Sequence, residues 1–291
     1  MILELVRAMR PKQWTKNVLI FAALVFDGKV ANATYLVCTL IGFVVFCLIS
    51  GVVYLNNDLV DIENDRQHPK KRQRPLAAGR LSVRVAQSAI VAILLVCVPV
   101  SFLLRPLFAV VVIVYLVLQI AYSFWLKHIV IVDVLTLAAG FVLRVAGGAA
   151  LVEAERFSPW LYVCTVLLAL FLGFSKRRGE LVALQENANS HRAILEEYSL
   201  PLLDEMISVV TASTVLAYAL YTFDPGNPHL PENNTMMLTI PFVLYSIFRY
   251  LYLIHQKGET APPDEVLLKD RPLQLAMGLW AVMVLVLLYV V

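Results

Sequence analysis

Long uncharged runs alternate with short charged or turn-rich breaks along the whole chain. The runs occupy residues 17–26, 30–57, 85–104, 106–126, 134–152, 157–175, 206–223, 235–254 and 272–291, interrupted only by Arg144 and Arg249. A helix needs about 20 apolar residues to cross the ~30 Å hydrocarbon core of a bilayer. The pattern therefore predicts an all-α, polytopic integral membrane protein with nine transmembrane helices. The first run is the shortest, because Asp27 and Lys29 cut it off; it is expected to begin near Pro11, with Trp14 at the interface and its lysines snorkelling. Arg105-Pro106 marks a tight turn between two spans, and DPGNPHLPENN (224–234) is a turn-rich connector. No linker is long enough to separate soluble domains, so residues 1–291 read as one transmembrane domain.

Nine spans divide the loops into two alternating sets. One set, with the N-terminus, 58–84, 127–133, 176–205 and 255–271, holds most of the 24 Lys and Arg; the other holds only Lys29, Arg105 and Arg156. Positive charge stays on the cytoplasmic side, so the N-terminus and the charged loops are expected to face the cytoplasm from a cell membrane. Composition agrees: 60% of residues are hydrophobic and 15% charged, against about 45–50% and about 25% in soluble domains. The charged N-terminus has the wrong layout for a cleavable signal peptide. Cys38, Cys47, Cys97 and Cys164 lie in uncharged runs without metal-ligand spacing and read as small apolar residues.

The chemistry concentrates in YLNNDLVDIENDRQHPKKRQRPLAAGR, residues 54–80, where the second run ends. On a helix Asn57, Asp61 and Asp65 fall at i, i+4 and i+8, and Asp58 lies three residues before Asp61 and seven before Asp65. Such spacing stacks their oxygens on one face, while Glu63 points elsewhere. Stacked carboxylates repel one another unless a cation lies between them. Mg2+ suits the place, since it takes one or two carboxylates and completes its shell with water and substrate phosphate. Lys70, Lys71, Arg72 and Arg74 follow at once and supply phosphate-binding charge. The joint reading is a metal-assisted diphosphate site at a membrane surface; the plainer readings are a solvated, ion-paired helix face and a topology signal.

Other features converge on the same face. The segment after the sixth run opens with Lys176, Arg177, Arg178 and Glu180, and its length and mixed charge favour a helical hairpin over a plain anchor. Lys12 and Lys16 in RPKQWTKN are expected to share a helix face, for substrate or for inner-leaflet lipid. Lys127 follows the fourth span. Arg144 lies inside the fifth, where a charge faces a polar cavity or a partner. Tyr54, one turn before the acidic row, closes the site or packs. The five histidines form no pattern, and none is assigned as a base.

Asn57-Asp58-x-x-Asp61-x-x-x-Asp65 at the end of the second span resembles the first aspartate motif of the UbiA family of intramembrane prenyltransferases. The resemblance covers essentially the whole chain and implies a nine-helix bundle with cytoplasmic helical loops. It departs from ordinary members after the sixth span: where they carry a second aspartate-rich motif, this chain has Ser175-Lys176-Arg177-Arg178-Gly179-Glu180. With RPKQWTKNVLIFAAL (10–24) and Tyr122-Ser123-x-x-Leu126-Lys127, that departure resembles the branch that moves 5-phosphoribose from phosphoribosyl pyrophosphate (PRPP) to decaprenyl phosphate for cell-wall arabinan.

The resemblance implies Mg2+ held by Asn57, Asp58, Asp61 and Asp65, the three aspartates serving catalysis. It implies substrate binding by Lys12, Lys16, Tyr54, Lys71, Arg72, Arg74, Lys127, Arg144, Lys176, Arg177 and Glu180. The partners are PRPP, a polyprenyl phosphate and membrane lipid; nucleic acid is not expected, and an oligomer is possible. Two other readings stand beside it: prenyl transfer to an aromatic acceptor, and a lipid transporter or flippase, which would show broken helices in two related halves.

Overall fold

The computed structural model describes residues 1–67, 71–154, 159–186, 193–224, 230–231 and 233–290. Among them every long element is a helix. The chain runs through α1 (Ile2–Ala8), a 3-10 helix (Pro11–Ile20), α2 (Phe21–Phe26), α3 (Ala33–Val60), α4 (Ile62–Gln67), α5 (Val83–Leu104), α6 (Pro106–Phe124) and α7 (Val132–Leu151). It continues through α8 (Pro159–Glu186), α9 (Leu200–Thr222), α10 (Ile240–His255), α11 (Pro263–Lys269) and α12 (Arg271–Tyr289). Short 3-10 turns at Lys71–Gln73, Leu126–His128, Ala193–Glu197 and Thr235–Thr239 join them.

Eight helices among the described residues are long and apolar enough to cross a membrane: α3, α5, α6, α7, α8, α9, α10 with the turn before it, and α12. Local signals set their ends. The side chains of Asn32, Ser82, Ser199 and Asp270 accept backbone N–H groups in the first turns of α3, α5, α9 and α12, satisfying donors that a helix start leaves free. Arg105 is extended (φ −161°, ψ 133°) between α5 and α6, and Pro106 opens α6, as the sequence predicts.

The remaining expected span takes another form. Pro11–Ile20 is a 3-10 helix, and only Phe21–Phe26 is α-helical. Exposure along it repeats every three residues: Lys12, Thr15 and Val18 are exposed, Trp14 is half-buried, and Asn17 and Ile20 are fully buried. That is the period of a helix with three residues per turn. At about 2.0 Å per residue, followed by six residues at 1.5 Å, Pro11–Phe26 covers about 29 Å of axis, nearly the thickness of the apolar core.

Two compact units make up the chain. The first contains Met1–Lys127 and Gly140–Glu155, and the second contains His128–Ala139 and Arg156–Val291. In the first, α3 packs against α5, α6 and the 3-10 helix around Ile20, Phe46, Ile49, Phe108, Val112 and Leu151. In the second, α8 lies along α9 and α10 lies along α12, with Val134, Phe171, Leu203, Ile207 and Tyr250 at the centre.

Two glycines admit the N-terminal segment into the first unit, one at the end of the 3-10 helix and one at Met9 before it. A Cβ on Gly148 of α7 would sit 2.0 Å from the Ile20 carbonyl oxygen, and one on Gly51 of α3 would sit 2.4 Å from Met9. Gly148→Ala is expected to destabilise the protein by about 1–3 kcal/mol through overpacking against backbone. Thermal unfolding in detergent checks this against Gly278→Ala, whose added methyl meets nothing within 4 Å and leaves stability level or slightly raised.

Candidate active site

The acidic row forms where α3 ends. The Asp61 N–H donates to the Asn57 carbonyl at 3.0 Å, and the Asp65 N–H donates to the Asp61 carbonyl at 2.8 Å. The four-residue step thus continues across the join of α3 and α4, where Asp61 itself leaves helical geometry (φ −96°, ψ 12°). Asp58 and Asp65 are each 2% exposed. Glu63 turns outward to Arg66 at 2.7 Å.

Each carboxylate of the row meets a cation. Arg74 Nη1 lies 2.5 Å from Asp65 Oδ2 and 3.2 Å from Asp58 Oδ1. Arg10 Nη2 lies 2.5 Å from the same Asp58 oxygen, with its guanidinium 4.7 Å from the Tyr54 ring centre. Lys127 Nζ lies 3.3 Å from Asp61 Oδ1. Asn57 Oδ1 accepts the Ser123 hydroxyl hydrogen, while that hydroxyl oxygen also lies 2.8 Å from the Gln119 carbonyl. The structure therefore brings together Tyr54, Asn57, Asp58, Asp61, Asp65, Arg74 and Lys127. It adds Arg10, through Asp58, and Ser123, through Asn57, neither of which the sequence alone marks as a site residue. Lys71 and Arg72 sit exposed in the adjoining 3-10 turn; Lys70 lies outside the described residues.

The shared face expected for Lys12 and Lys16 is not formed. Three residues per turn place positions four apart about 120° from each other, so Lys12 lies on the exposed stripe and Lys16 on a half-buried one. Arg144, 7% exposed, turns to neutral acceptors. Its Nε donates to Asn17 Oδ1 (2.7 Å), Nη1 to the Gly140 carbonyl (2.7 Å) and Nη2 to the Tyr115 hydroxyl (2.9 Å). Asn17 in turn reaches Cys47 and Ser50 of α3. The arginine thereby ties the 3-10 helix to α3, α6 and α7.

In the second unit α8 continues past the expected end of its span to Glu186, so Lys176, Arg177 and Glu180 lie on a helix. Arg177 is 1% exposed: its Nε lies 2.6 Å from Asp133 Oδ2 and its Nη1 lies 2.6 Å from Glu180. Tyr198 donates to Asp133 Oδ1 (2.8 Å) and accepts the Ile131 N–H (2.7 Å), holding Ile131 at φ 67°. Burial pushes the Tyr198 hydroxyl up to about 12, with Asp133 adding to the rise. Arg178 binds Asp204 at 2.6 Å. Lys176, 39% exposed and 4.0 Å from Glu180, is the member of the basic run whose charge most nearly reaches solvent. Asp133 and Tyr198 were not picked out from sequence. A lone acid at the edge of one span, opposite a basic run at the edge of another, was the available signal.

The row offers hard oxygen donors suited to magnesium. Asp58 Oδ2 is buried without a hydrogen-bond partner, which leaves a lone pair for a cation. Among the described residues no three acidic, histidine or cysteine side chains close into a metal cage. Magnesium takes few protein ligands and leaves the rest of its shell to water and phosphate, and the donor set fits that habit.

The model of the UbiA prenyltransferase family matches residues 17–268. A decaprenyl-phosphate phosphoribosyltransferase of Corynebacterium glutamicum is 34% identical over 292 residues, covering 98% of this chain and 87% of that protein. One of Mycobacterium tuberculosis is 33% identical over 285 residues, covering 96% and 92%. Among solved structures, a UbiA homologue from Archaeoglobus fulgidus bound to GPP and Mg2+ gives a TM-score of 0.73 at 18% identity, covering 98% of this chain and 99% of that one. A UbiA homologue from Aeropyrum pernix in its apo form gives 0.64 at 14%, covering 94% and 98%. The structural likeness concerns the fold, and the sequence matches carry the kinship: this chain belongs to the UbiA prenyltransferase family.

Proposed function

We propose that this protein transfers 5-phosphoribose from PRPP to a polyprenyl phosphate, releasing pyrophosphate and leaving a lipid-linked phosphoribose suited to cell-wall arabinan synthesis. The observation that carries the reading is the basic turn Lys176–Glu180 on α8, at the place where the family resemblance leads one to expect a second acidic motif. A donor with a diphosphate and a separate 5-phosphate, meeting an acceptor with its own phosphate, needs cations more than a second set of carboxylates. The names of the relatives from Corynebacterium glutamicum and Mycobacterium tuberculosis agree with it. The basic loops are assigned to the cytoplasmic side on the charge bias of the chain.

Asn57, Asp61 and the unpaired Asp58 oxygen, supported by Asp65, are the donors for a magnesium ion, which when bound supplies Lewis-acid stabilisation to the departing diphosphate. Lys71, Arg72 and Arg74 take the diphosphate oxygens as charge-assisted donors. Lys176 takes the 5-phosphate, with Arg177 and Glu180 fixing its turn of α8. Lys127 serves the lipid phosphate together with one of Lys12 and Lys16, which the 3-10 winding turns to different faces, and Arg144 acts through Asn17 by holding the helix that carries them. As the C1–O bond to pyrophosphate breaks, carboxylates near the sugar favour the positive charge that develops there. A lipid phosphate oxygen forms the new bond to C1 from the opposite face, with inversion. A phosphate monoester with a second pKa of about 6 is already nucleophilic at neutral pH, so no general base is required.

The deciding assay incubates purified protein with labelled PRPP and polyprenyl phosphates of several lengths. Labelled lipid is expected; its absence with divalent metal present sinks the reading. EDTA is expected to stop labelling, and unchanged product in its presence counts against the metal. Asp61→Ala should lower turnover at least about 100-fold, the scale for losing a group that stabilises the transition state, with the elution profile in detergent unchanged. Lys176→Ala should raise the KM for PRPP about tenfold, consistent with loss of about 1.4 kcal/mol of binding, and move the lipid KM little; the reverse pattern reassigns that turn to the acceptor.

A further inference from the structure

Asp58 is used unevenly. Two guanidinium groups, from Arg10 and Arg74, meet its Oδ1, while its Oδ2 is buried with no partner. Cations crowded onto one oxygen repel each other, so either is readily released once a second anion is at hand. Of the two, Arg10 has the less settled backbone. It sits at φ 54°, ψ 67°, at the start of the 3-10 helix, a left-handed conformation that costs a non-glycine residue free energy. The following Pro11 further disfavours helical backbone there. Its side chain is 30% exposed and rests against the face of Tyr54, which leaves the donor edge of the fork free to change acceptors.

The charge balance points the same way. Asp58, Asp61 and Asp65 are matched by Arg10, Arg74 and Lys127. A divalent ion arriving alone at the open Oδ2 would add charge to a row that is already neutral, against the repulsion of two guanidinium groups held on the other oxygen of the same carboxylate. A diphosphate changes both conditions, because it brings negative charge and offers oxygens in the geometry that a guanidinium fork prefers.

We propose that Arg10 and Arg74 guard Asp58, holding it until a diphosphate arrives and then passing their hydrogen bonds to the phosphate oxygens, so that the carboxylate becomes available to the divalent ion. The inference rests on the reading of the acidic row as a metal–diphosphate site. It makes Arg10 a phosphate ligand and a condition of metal loading, and it makes metal and diphosphate bind synergistically, each tightening the other by the same factor.

The test measures radioactive Mn2+ retained by the full-length protein in detergent, at fixed free Mn2+, with and without inorganic pyrophosphate. Pyrophosphate should tighten Mn2+ binding to the wild type by about tenfold or more, within the usual range for coupled ligands. Arg10→Gln should bind Mn2+ alone about tenfold more tightly than the wild type, and most of the gain from pyrophosphate should disappear. Arg10→Lys, which keeps the charge, should retain part of that gain. Tyr54→Leu removes the surface on which the guanidinium rests and should shift the ratio in the same direction as Arg10→Gln, giving an independent readout should Arg10→Gln fail to fold. Equal Mn2+ binding by the wild type with and without pyrophosphate overturns this proposal alone. An unchanged ratio in folded Arg10→Gln does the same. No retained Mn2+ under either condition overturns it together with the metal site on which it rests.

Discussion

Mutual repulsion among three carboxylates at the end of an apolar helix is the constraint to which the first unit is fitted. Asp58 and Asp65 are almost wholly buried, and an uncompensated buried charge costs several kcal/mol. The compensation comes from separate places in the chain: Arg10 from the N-terminal joint, Arg74 from the turn after α4, and Lys127 from the turn after α6. The fold gathers these segments where charge requires them. The same requirement makes the place useful, because charges balanced by side chains can be rebalanced by a substrate.

The buried cations in the two units are satisfied by opposite means. Arg177 lies between Asp133 and Glu180, so its charge is cancelled on the spot. Arg144 has an amide, a backbone carbonyl and a phenol. Neutral acceptors meet its hydrogen-bonding demand and leave its charge in place, and in low dielectric that charge acts over a longer range than it would in water. One arginine is thus a structural strut, while the other is a strut that also leaves a positive field around itself.

Much of the architecture was legible because its signals are periodic or compositional. Uncharged runs located eight long helices, Arg105-Pro106 marked a helix junction, and the spacing of Asn57, Asp61 and Asp65 gave the acidic row. The failures have physical causes. The segment expected to begin near Pro11 reads as an ordinary helix in the sequence, but between Pro11 and Ile20 it winds as a 3-10 helix whose end packs against Gly148, and this separates Lys12 from Lys16. The partners of the basic residues were not legible at all. Nothing local in the sequence couples Arg10 to Asp58, Arg177 to Asp133, or Ser123 to Asn57, since each pair meets only through long-range packing.

The winding of Pro11–Ile20 also sets a distance. Rewound as an α-helix, these ten residues would shorten by about 5 Å. Ile20 is wedged against the bare backbone of Gly148, so the displacement would fall on the other end and draw Arg10 away from Asp58. The segment is therefore a gauge: its tight pitch fixes how far the guanidinium extends from its anchor, and a local change in coiling there would be felt at the carboxylates as a change in reach.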